Sequence, residues 1–370
     1  MASLEWETMR VDSFAPLQRG FDLPSDQVIE GEFPVVYSNG ILNYHNFPQA
    51  KGPGVVTGRS GTIGKVTYVE NDYWPHNTTL WVTDFKGNVP KFVYYFYDFL
   101  DLERYGTGSG VPTLNRNDIH SLRISVPPLA EQRAIARVLG TMDELIAKTS
   151  RMVEQKKLRR KYLMQALLTG KKRLKGFRGK WRTLPFRELA TESVFRNGGK
   201  MSNDRLMAVS KVHGMIPMRE RVQGESNHRC KVVRQDYFAY NPMRLNIGSL
   251  ARWADEVPAM VSGDYVVFKC EEERLDPRFF DFYRSSNEWA NYVRRAGDGS
   301  VRVRIYFSHL APFKITLPSI KEQKAIANIL DIATCEITML EAKYELLKLQ
   351  KKWLMQQLLT GKRRLEAEEH

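Results

Sequence analysis

The chain has 370 residues, 42% of them hydrophobic and 26% charged, with a formal net charge of +14. That is more chain than one hydrophobic core usually serves, so a soluble globular protein of two domains plus connecting segments is expected. No run of about 18 uncharged apolar residues occurs and MASLEWETMR lacks an apolar signal core, which argues against membrane spanning and secretion and for a cytoplasmic location.

The first module, residues 1–126, opens with LEWETMRVDSF and continues through FPVVY, GVVTG, KVTYV and TLWVT, set between Gly, Pro, Asn and Asp turns. Such runs read as short strands, and PKFVYYFYDFLDLERY reads as an amphipathic helix. After IHSLRISVP, the prolines Pro127 and Pro128 open a helix predicted over 127–170, with Glu131 in its first turn and Gly170 as its C-cap. Residues 171–180 form a basic linker. The second module, 181–317, begins at Trp181, offers RLMAVS, KVVR, YVVFK and VRVRIYF as strands, and carries DPRFFDFYRSSNEWANYVRR as a helix. A second long helix is predicted over 318–361, followed by a tail at 362–370. Each helix, at about 40 residues, would be about 60 Å long.

The two helices belong to an internal repeat. Ser125 to Leu174 recurs without gaps as Thr316 to Leu365, always 191 positions later, with about 22 of the fifty pairs identical. The match extends upstream, where Gly106-Thr107-Gly108-Ser109 aligns with Gly297-Asp298-Gly299-Ser300. The module starts align at an offset of 175, Trp6 with Trp181, so the second module has gained about sixteen residues. Ile135, Val138, Leu139, Met142, Leu145, Ile146, Met152, Val153, Leu163 and Leu167 form an apolar stripe in the first helix, and the second helix repeats it from Ile326 to Leu358. Packing the stripes on each other gives an antiparallel coiled coil, with Lys156, Glu336 and Lys343 as polar positions that set register. The expected fold class is therefore α+β: two β-rich mixed domains separated by two long antiparallel coiled-coil helices, with pseudo-twofold repetition.

This order of parts resembles the specificity subunit of a type I restriction-modification system over essentially the full chain. PPLAEQRAIA, PSIKEQKAIA and the paired LLTGK ends carry the resemblance, and GRSGTIGKV (Gly58 to Val66) and GDYVVFK (Gly263 to Lys269) support it. The resemblance implies that each variable module is a target-recognition domain reading one half of a split, asymmetric site in double-stranded DNA. It also implies that the helices set the spacer and dock two modification (methyltransferase) subunits, joined by two restriction (ATP-dependent translocase and nuclease) subunits. S-adenosylmethionine, ATP and Mg would then reside on those partners, with no cofactor on this chain.

Taken by themselves, the residues offer no convincing catalytic constellation. YNPMR (Tyr240 to Arg244) superficially resembles the Asn-Pro-Pro-aromatic motif of adenine methyltransferases, but Met243 and Arg244 remove the stacking aromatic that a flipped base needs. GTGSG at Gly106 to Gly110 reads as a flexible turn, because no apolar strand precedes it and Pro112 follows. No GxxxxGK[ST] loop occurs, Asp84-Phe85-Lys86 is a triplet common by chance, and the seven histidines lack metal-ligand spacing. Cys230, Cys270 and Cys335 read as buried thiols. A stand-alone methyltransferase or nuclease is thereby disfavoured. A coiled-coil nucleic-acid scaffold would explain the repeat and the charge but not two dissimilar β-rich modules.

The charge is unevenly spread: about −4 over residues 1–124, +12 over 125–182, +5 over 183–315 and +1 over 316–370. Base readout needs donors and acceptors on loops that enter a groove, with cations bracing phosphates. In the first module Ser38, Asn39, Arg59, Ser60, Thr62, Lys65 and Arg116 have that character, Asn39 suiting adenine and Arg59 guanine. In the second, the comparable set is Ser210, Lys211, Asn241, Arg244, Asn246 and Arg252, with Arg302 and Arg304 in a basic strip suited to backbone contact. Tyr37, Tyr73, Trp74 and Trp253 read as core aromatics.

Overall fold

The computed structural model describes residues 5–108, 110–219, 226–296 and 303–365. The chain divides into two compact units, Met1–Arg151 with Glu341–His370, and Met152–Leu340. In the first unit β1 (Glu7–Arg10) and α1 (Val11–Phe14) lead into β2 (Leu17–Arg19), β3 (Phe33–Tyr37), β4 (Gly40–His45) and β5 (Gly54–Gly58). β6 (Val66–Val69), β7 (Trp74–Pro75) and β8 (Thr79–Val82) follow, then α2 (Pro90–Phe99), β9 (Gly106–Thr107), β10 (Thr113–Leu114), α3 (Arg116–His120) and β11 (Arg123–Val126). The long helix α4 spans Leu129–Leu168.

In the second unit the strands are β12 (Arg182–Pro185), β13 (Ala190–Glu192), β14 (Leu206–Ser210), β15 (Gly214–Pro217) and β16 (Lys231–Val233). They continue as β17 (Phe238–Tyr240), β18 (Leu250–Arg252), β19 (Ala259–Val261) and β20 (Val266–Cys270). Three short helices, α5 (Pro277–Tyr283), α6 (Asn287–Arg295) and α7 (Phe307–Leu310), precede β21 (Lys314–Leu317) and the second long helix, α8 (Ile320–Leu358).

The two units share one wiring. The first has sheets ordered β2-β8-β5-β6 and β4-β3-β7, the second β13-β20-β17-β18 and β15-β14-β19-β16. Taken in chain order, β2 to β8 correspond one by one to β13, β14, β15, β17, β18, β19 and β20. Even the strand polarity agrees, since β7 runs parallel to β3 and β19 parallel to β14. β16 has no counterpart, which places part of the second module's extra length. An antiparallel ribbon closes each unit, β1 with β11 and β12 with β21. Aromatic side chains fill both cores, with Phe14, Phe92 and Tyr95 fully buried in the first and Phe186, Phe238 and Phe268 in the second.

The most repeated residues build the junctions between helix and domain. In the first unit Glu131 is 4% exposed and receives hydrogen bonds from Arg364 Nε (2.8 Å) and Trp6 Nε1 (3.1 Å), while the Arg364 guanidinium lies 5.6 Å over the Trp6 ring. In the second unit Arg173 donates to both oxygens of Glu322 at 2.7 and 2.6 Å and lies over Trp181. Gly361 and Gly170, both at φ +70°, end the helices flush against those tryptophans, 3.5 and 3.3 Å from where a Cβ would stand. The start of one repeat is thus gripped by the end of the other, which is why the EQ and LLTGK signatures occur together. Bidentate Arg–carboxylate geometry supplies the specificity of that grip.

Both helices run antiparallel within each unit. In the first, Ile135 and Leu139 share a core with Met355 and Leu358, and Lys351 reaches Asp143 at 2.7 Å. In the second, Leu167 shares a core with Ile326 and Leu330, Lys156 pairs with Glu336, and Arg160 donates to Thr334 at 3.2 Å. The inner seam departs from the expected stripe in detail. Leu145 and Met152 are 43% and 39% exposed, because strict three-four spacing from Ile135 passes through Ile146, Thr149 and Val153 instead. Lys343 is also exposed, and Lys351 stands on the seam of α8.

Other expectations change for local reasons. The helix predicted over 276–295 is two, because Ser286 caps α6 by accepting from Trp289 N at 3.2 Å. VRVRIYF forms no strand over its described part, residues 303–307; Ile305 is buried and its N–H donates to Pro242 O at 3.0 Å. Cys230 and Cys270 are buried, with burial pushing both thiols up, whereas Cys335 is exposed on α8. Brief treatment of the folded chain with a maleimide should therefore modify one thiol, Cys335. Rapid modification of two or three thiols before unfolding would contradict this burial pattern.

Candidate nucleic-acid interface

In the first unit the β3–β4 turn and the β5–β6 loop meet on Thr78. Ser38 N donates to Thr78 Oγ1 at 3.3 Å, and Arg59 N and Ser60 N donate to Thr78 O at 2.8 and 3.1 Å. His76 Nδ1 stands 3.0 Å from the same hydroxyl and its ring lies 4.3 Å from that of Tyr37, with burial holding its pKa below the ordinary value. Neutral imidazole is the form that this contact favours at neutral pH. The β5–β6 loop is anchored by Ile63, which is buried, so Thr62 and Lys65 on either side point outward. Gly58 makes the turn possible, since a Cβ there would stand 1.8 Å from Thr62 O.

Lys65 closes the arrangement by donating to Asn39 O across the gap between the two loops. Arg116 begins α3 directly after β10, and Leu114 N of that strand donates to Arg59 O at 2.8 Å. The structure therefore brings Ser38, Asn39, Arg59, Ser60, Thr62 and Lys65 to one end of the first unit, with Arg116 on the adjoining segment. Among the described residues, Arg59, Lys65 and Arg116 form no ion pair. Cations without ion pairs on adjoining loops suit an anionic ligand, although the Glu103 carboxyl group lies against Gly64 of the β5–β6 loop.

In the second unit the β14–β15 turn and the β17–β18 loop play the same part. Ser210 Oγ accepts from Val212 N and His213 N at 3.3 and 3.2 Å, shaping the turn that displays Lys211. Asn241 Oδ1 accepts from Met243 N at 3.0 Å, and Arg244 N donates to Asn241 O at 2.9 Å. This Asx turn uses up part of the Asn241 side chain. Leu245 is buried as the loop's anchor and leaves Arg244 and Asn246 outside. The two segments touch, with Lys211 Cε 3.6 Å from the Cβ position of Gly248 and Ser249 Oγ donating to Val209 O at 2.8 Å. Arg304, next to the Ile305 that holds Pro242, is exposed beside this loop. Arg302 lies outside the described residues.

Arg252 does not join them. Hairpin register pairs it with Phe238, at the opposite end of β17–β18 from the 241–249 loop. Its guanidinium is 17% exposed and bonded to Asp236 and Asp281 at 2.5 and 3.3 Å, so it ties the hairpin to α5. Tyr73 is fully buried, while Trp74 and Trp253 are half-buried and Tyr37 lies against His76. Thr78 and His76 were not legible as site residues, because WPHNTTL reads as a turn before a strand and only the fold folds it back under the two loops. Asp84 pairs with Lys86 on an exposed turn. Among the described residues no three His, Cys, Asp or Glu side chains converge as metal ligands, and no helix is long and apolar enough to cross a membrane.

Residues 3–158 match the family described as the type I restriction modification DNA specificity domain. The chain is 26% identical over 279 residues to the putative type I restriction enzyme MjaX specificity subunit of Methanocaldococcus jannaschii, covering 69% of this chain and 62% of that protein. It is 24% identical over 314 residues to the MjaVIII specificity subunit of the same organism, covering 76% and 72%. The chain thus spans less than two thirds of the first of these relatives. Among solved structures, the fold matches the S subunit of a type I restriction-modification system from M. genitalium with a TM-score of 0.65 at 13% identity, over 96% of both chains. It matches the HsdS subunit of Thermoanaerobacter tengcongensis with a TM-score of 0.51 at 15% identity, over 97% of this chain and 98% of that one.

Proposed function

We propose that the chain is a type I restriction-modification specificity subunit, as its match to the DNA specificity domain over residues 3–158 supports, and that it reads a bipartite DNA site, one half through each unit. The observation that carries this reading is the equivalence of the loops. Candidate base-reading residues in both units lie on the same two connections of the same wiring: β3–β4 with β5–β6, and β14–β15 with β17–β18. One chain with two unlike copies of a reading head recognises an asymmetric site, as a dimer of identical heads recognises a palindrome.

In each head the hydrogen-bonded frame holds the loop backbone and leaves side chains for the groove. In this reading Arg59 in the first unit and Arg244 in the second meet guanine edges, Asn39 and Asn246 meet adenine, and Lys65, Lys211, Arg116 and Arg304 meet phosphates. The chain itself is non-catalytic in this reading. Two modification subunits dock on the helical frame and bring S-adenosylmethionine, and two restriction subunits bring ATP and Mg.

The test is to co-express the chain with its methyltransferase and map methylated bases in the host genome. A split, asymmetric motif is expected, and replacing residues 58–66 should change one half of it only. Methyl transfer by the purified chain alone, or a change in both halves from that one replacement, would overturn the proposal.

A further inference from the structure

The second unit's two candidate reading segments display apolar side chains among their cations. Val212 at the β14–β15 turn is 79% exposed, and Met243 and Ile247 on the β17–β18 loop are 49% and 55% exposed. Single exposed apolar residues are ordinary. Here three share the two connections that also display Lys211, Arg244 and Asn246, and Val212 and Ile247 flank the contact at which Lys211 Cε lies 3.6 Å from the Cβ position of Gly248. Their backbone is fixed, with Met243 N donating to Asn241 Oδ1 at 3.0 Å, Val212 N to Ser210 Oγ at 3.3 Å and Ile247 N to Arg244 O at 3.3 Å. On the corresponding connections of the first unit, residues 38–39 and 59–65, the large apolar residue is Ile63, and it is buried. Ile41 and Val111, exposed in that unit, lie on β4 and on the β9–β10 connection. The two pairs of loops therefore differ in chemistry.

The significance of this difference rests on the reading proposed above, in which each unit reads one half of a DNA site. Phosphates offer charge, and base edges in the major groove offer hydrogen-bond donors and acceptors, with one apolar exception, the 5-methyl group of thymine. Lys211 and Arg244 draw the loops of the second unit onto an anionic duplex, and hydrocarbon side chains beside them have that methyl group as their complement. We infer that Val212, Met243 and Ile247 form a subsite for thymine methyl groups, so that the half-site read by the second unit contains thymine. Covering one methyl group contributes about 0.8 kcal/mol, a preference of about 4-fold over the same base without it. Cytosine is disfavoured further, because its amino group would face hydrocarbon without an acceptor.

Replacing each thymine of that half-site singly by deoxyuridine removes the methyl group and keeps every hydrogen bond. Equilibrium binding of the full chain, assembled with its modification subunits, should weaken about 3- to 10-fold at one or two of these positions. Val212→Ala, Met243→Ala and Ile247→Ala should leave the melting curve unchanged, because all three side chains are exposed, and at least one of them should abolish the difference between thymine and deoxyuridine. A half-site without thymine, or one indifferent to deoxyuridine at every position, would overturn the inference and leave DNA reading intact. So would a deoxyuridine effect that survives all three substitutions, or variants that weaken only the assembly with modification subunits. Absence of any sequence preference in the second unit would instead overturn the DNA reading, and the thymine subsite with it.

Discussion

Gln323→Ala is expected to destabilise the second unit by about 2 to 4 kcal/mol, and to lower its melting temperature by about 5 to 15 °C. Gln323 is fully buried at the start of α8, where Oε1 accepts from Asp276 N at 2.9 Å and Nε2 donates to Arg274 O and Pro318 O at 2.9 and 3.0 Å. Truncation strands one amide hydrogen and two carbonyls away from water, and an unmade buried hydrogen bond costs more than a made one contributes. Gln323→Glu keeps the acceptor but sets a buried carboxylate against two carbonyl oxygens, so at neutral pH it should destabilise at least as much as Ala. Gln132 does the same work in the first unit, accepting from Val89 N and donating to Pro127 O and Asn88 Oδ1. Thermal unfolding followed by circular dichroism checks both sites. A loss below about 1 kcal/mol at Gln323 would mean that the junction tolerates a gap, and that the repeat's Gln is there for another reason.

Arg59→Ala is expected to weaken recognition of one half-site by about 1 to 3 kcal/mol, or 5- to 150-fold, and to leave the other half-site as it was. The Arg59 backbone is fixed on both sides, by N–H to Thr78 O and by its carbonyl accepting from Leu114 N. The substitution therefore removes a side chain without loosening the loop. Binding measured against a panel of single-base variants of the site separates the outcomes. Loss of preference at one base pair marks base contact, whereas uniform weakening with a shallower salt dependence marks a phosphate contact. Arg252→Ala is the contrasting case: it breaks ion pairs to Asp236 and Asp281, so it should lower stability without altering sequence preference.

Much of the frame was readable because it is periodic. Ile135 and Leu139, or Ile326 and Leu330, repeat at helical spacing, and a stripe of that period has to be buried against something. Leu145 and Met152 depart from the stripe because they are apolar but fall one position from the seam, and composition cannot distinguish g from a. The strand runs were found for the same reason, except 301–307, where alternation was present but Ile305 instead pins a loop. Cys335 was expected inside because cysteines usually are; on α8 it is exposed.

For the reading loops the limit was different. Arg59, Lys65, Lys211 and Arg244 were picked out as polar, turn-forming neighbours, a property of the local sequence. Their convergence depends on which strands pair. Thr78 entered the site because β8 lies beside β5, and Arg252 left it because the β17–β18 register sends it to the far end of the hairpin. Local sequence by itself determined the duplicated helical frame, its caps and the existence of two unlike modules, since heptad spacing, prolines and glycines act over a few residues. Only the tertiary structure decided which loops meet and which Arg grips which buried Glu. Those outcomes depend on strand pairing and on contacts between residues 125 or more apart in the chain, as for Trp6 with Glu131 or Arg364 with Glu131. No local pattern of residues encodes such contacts.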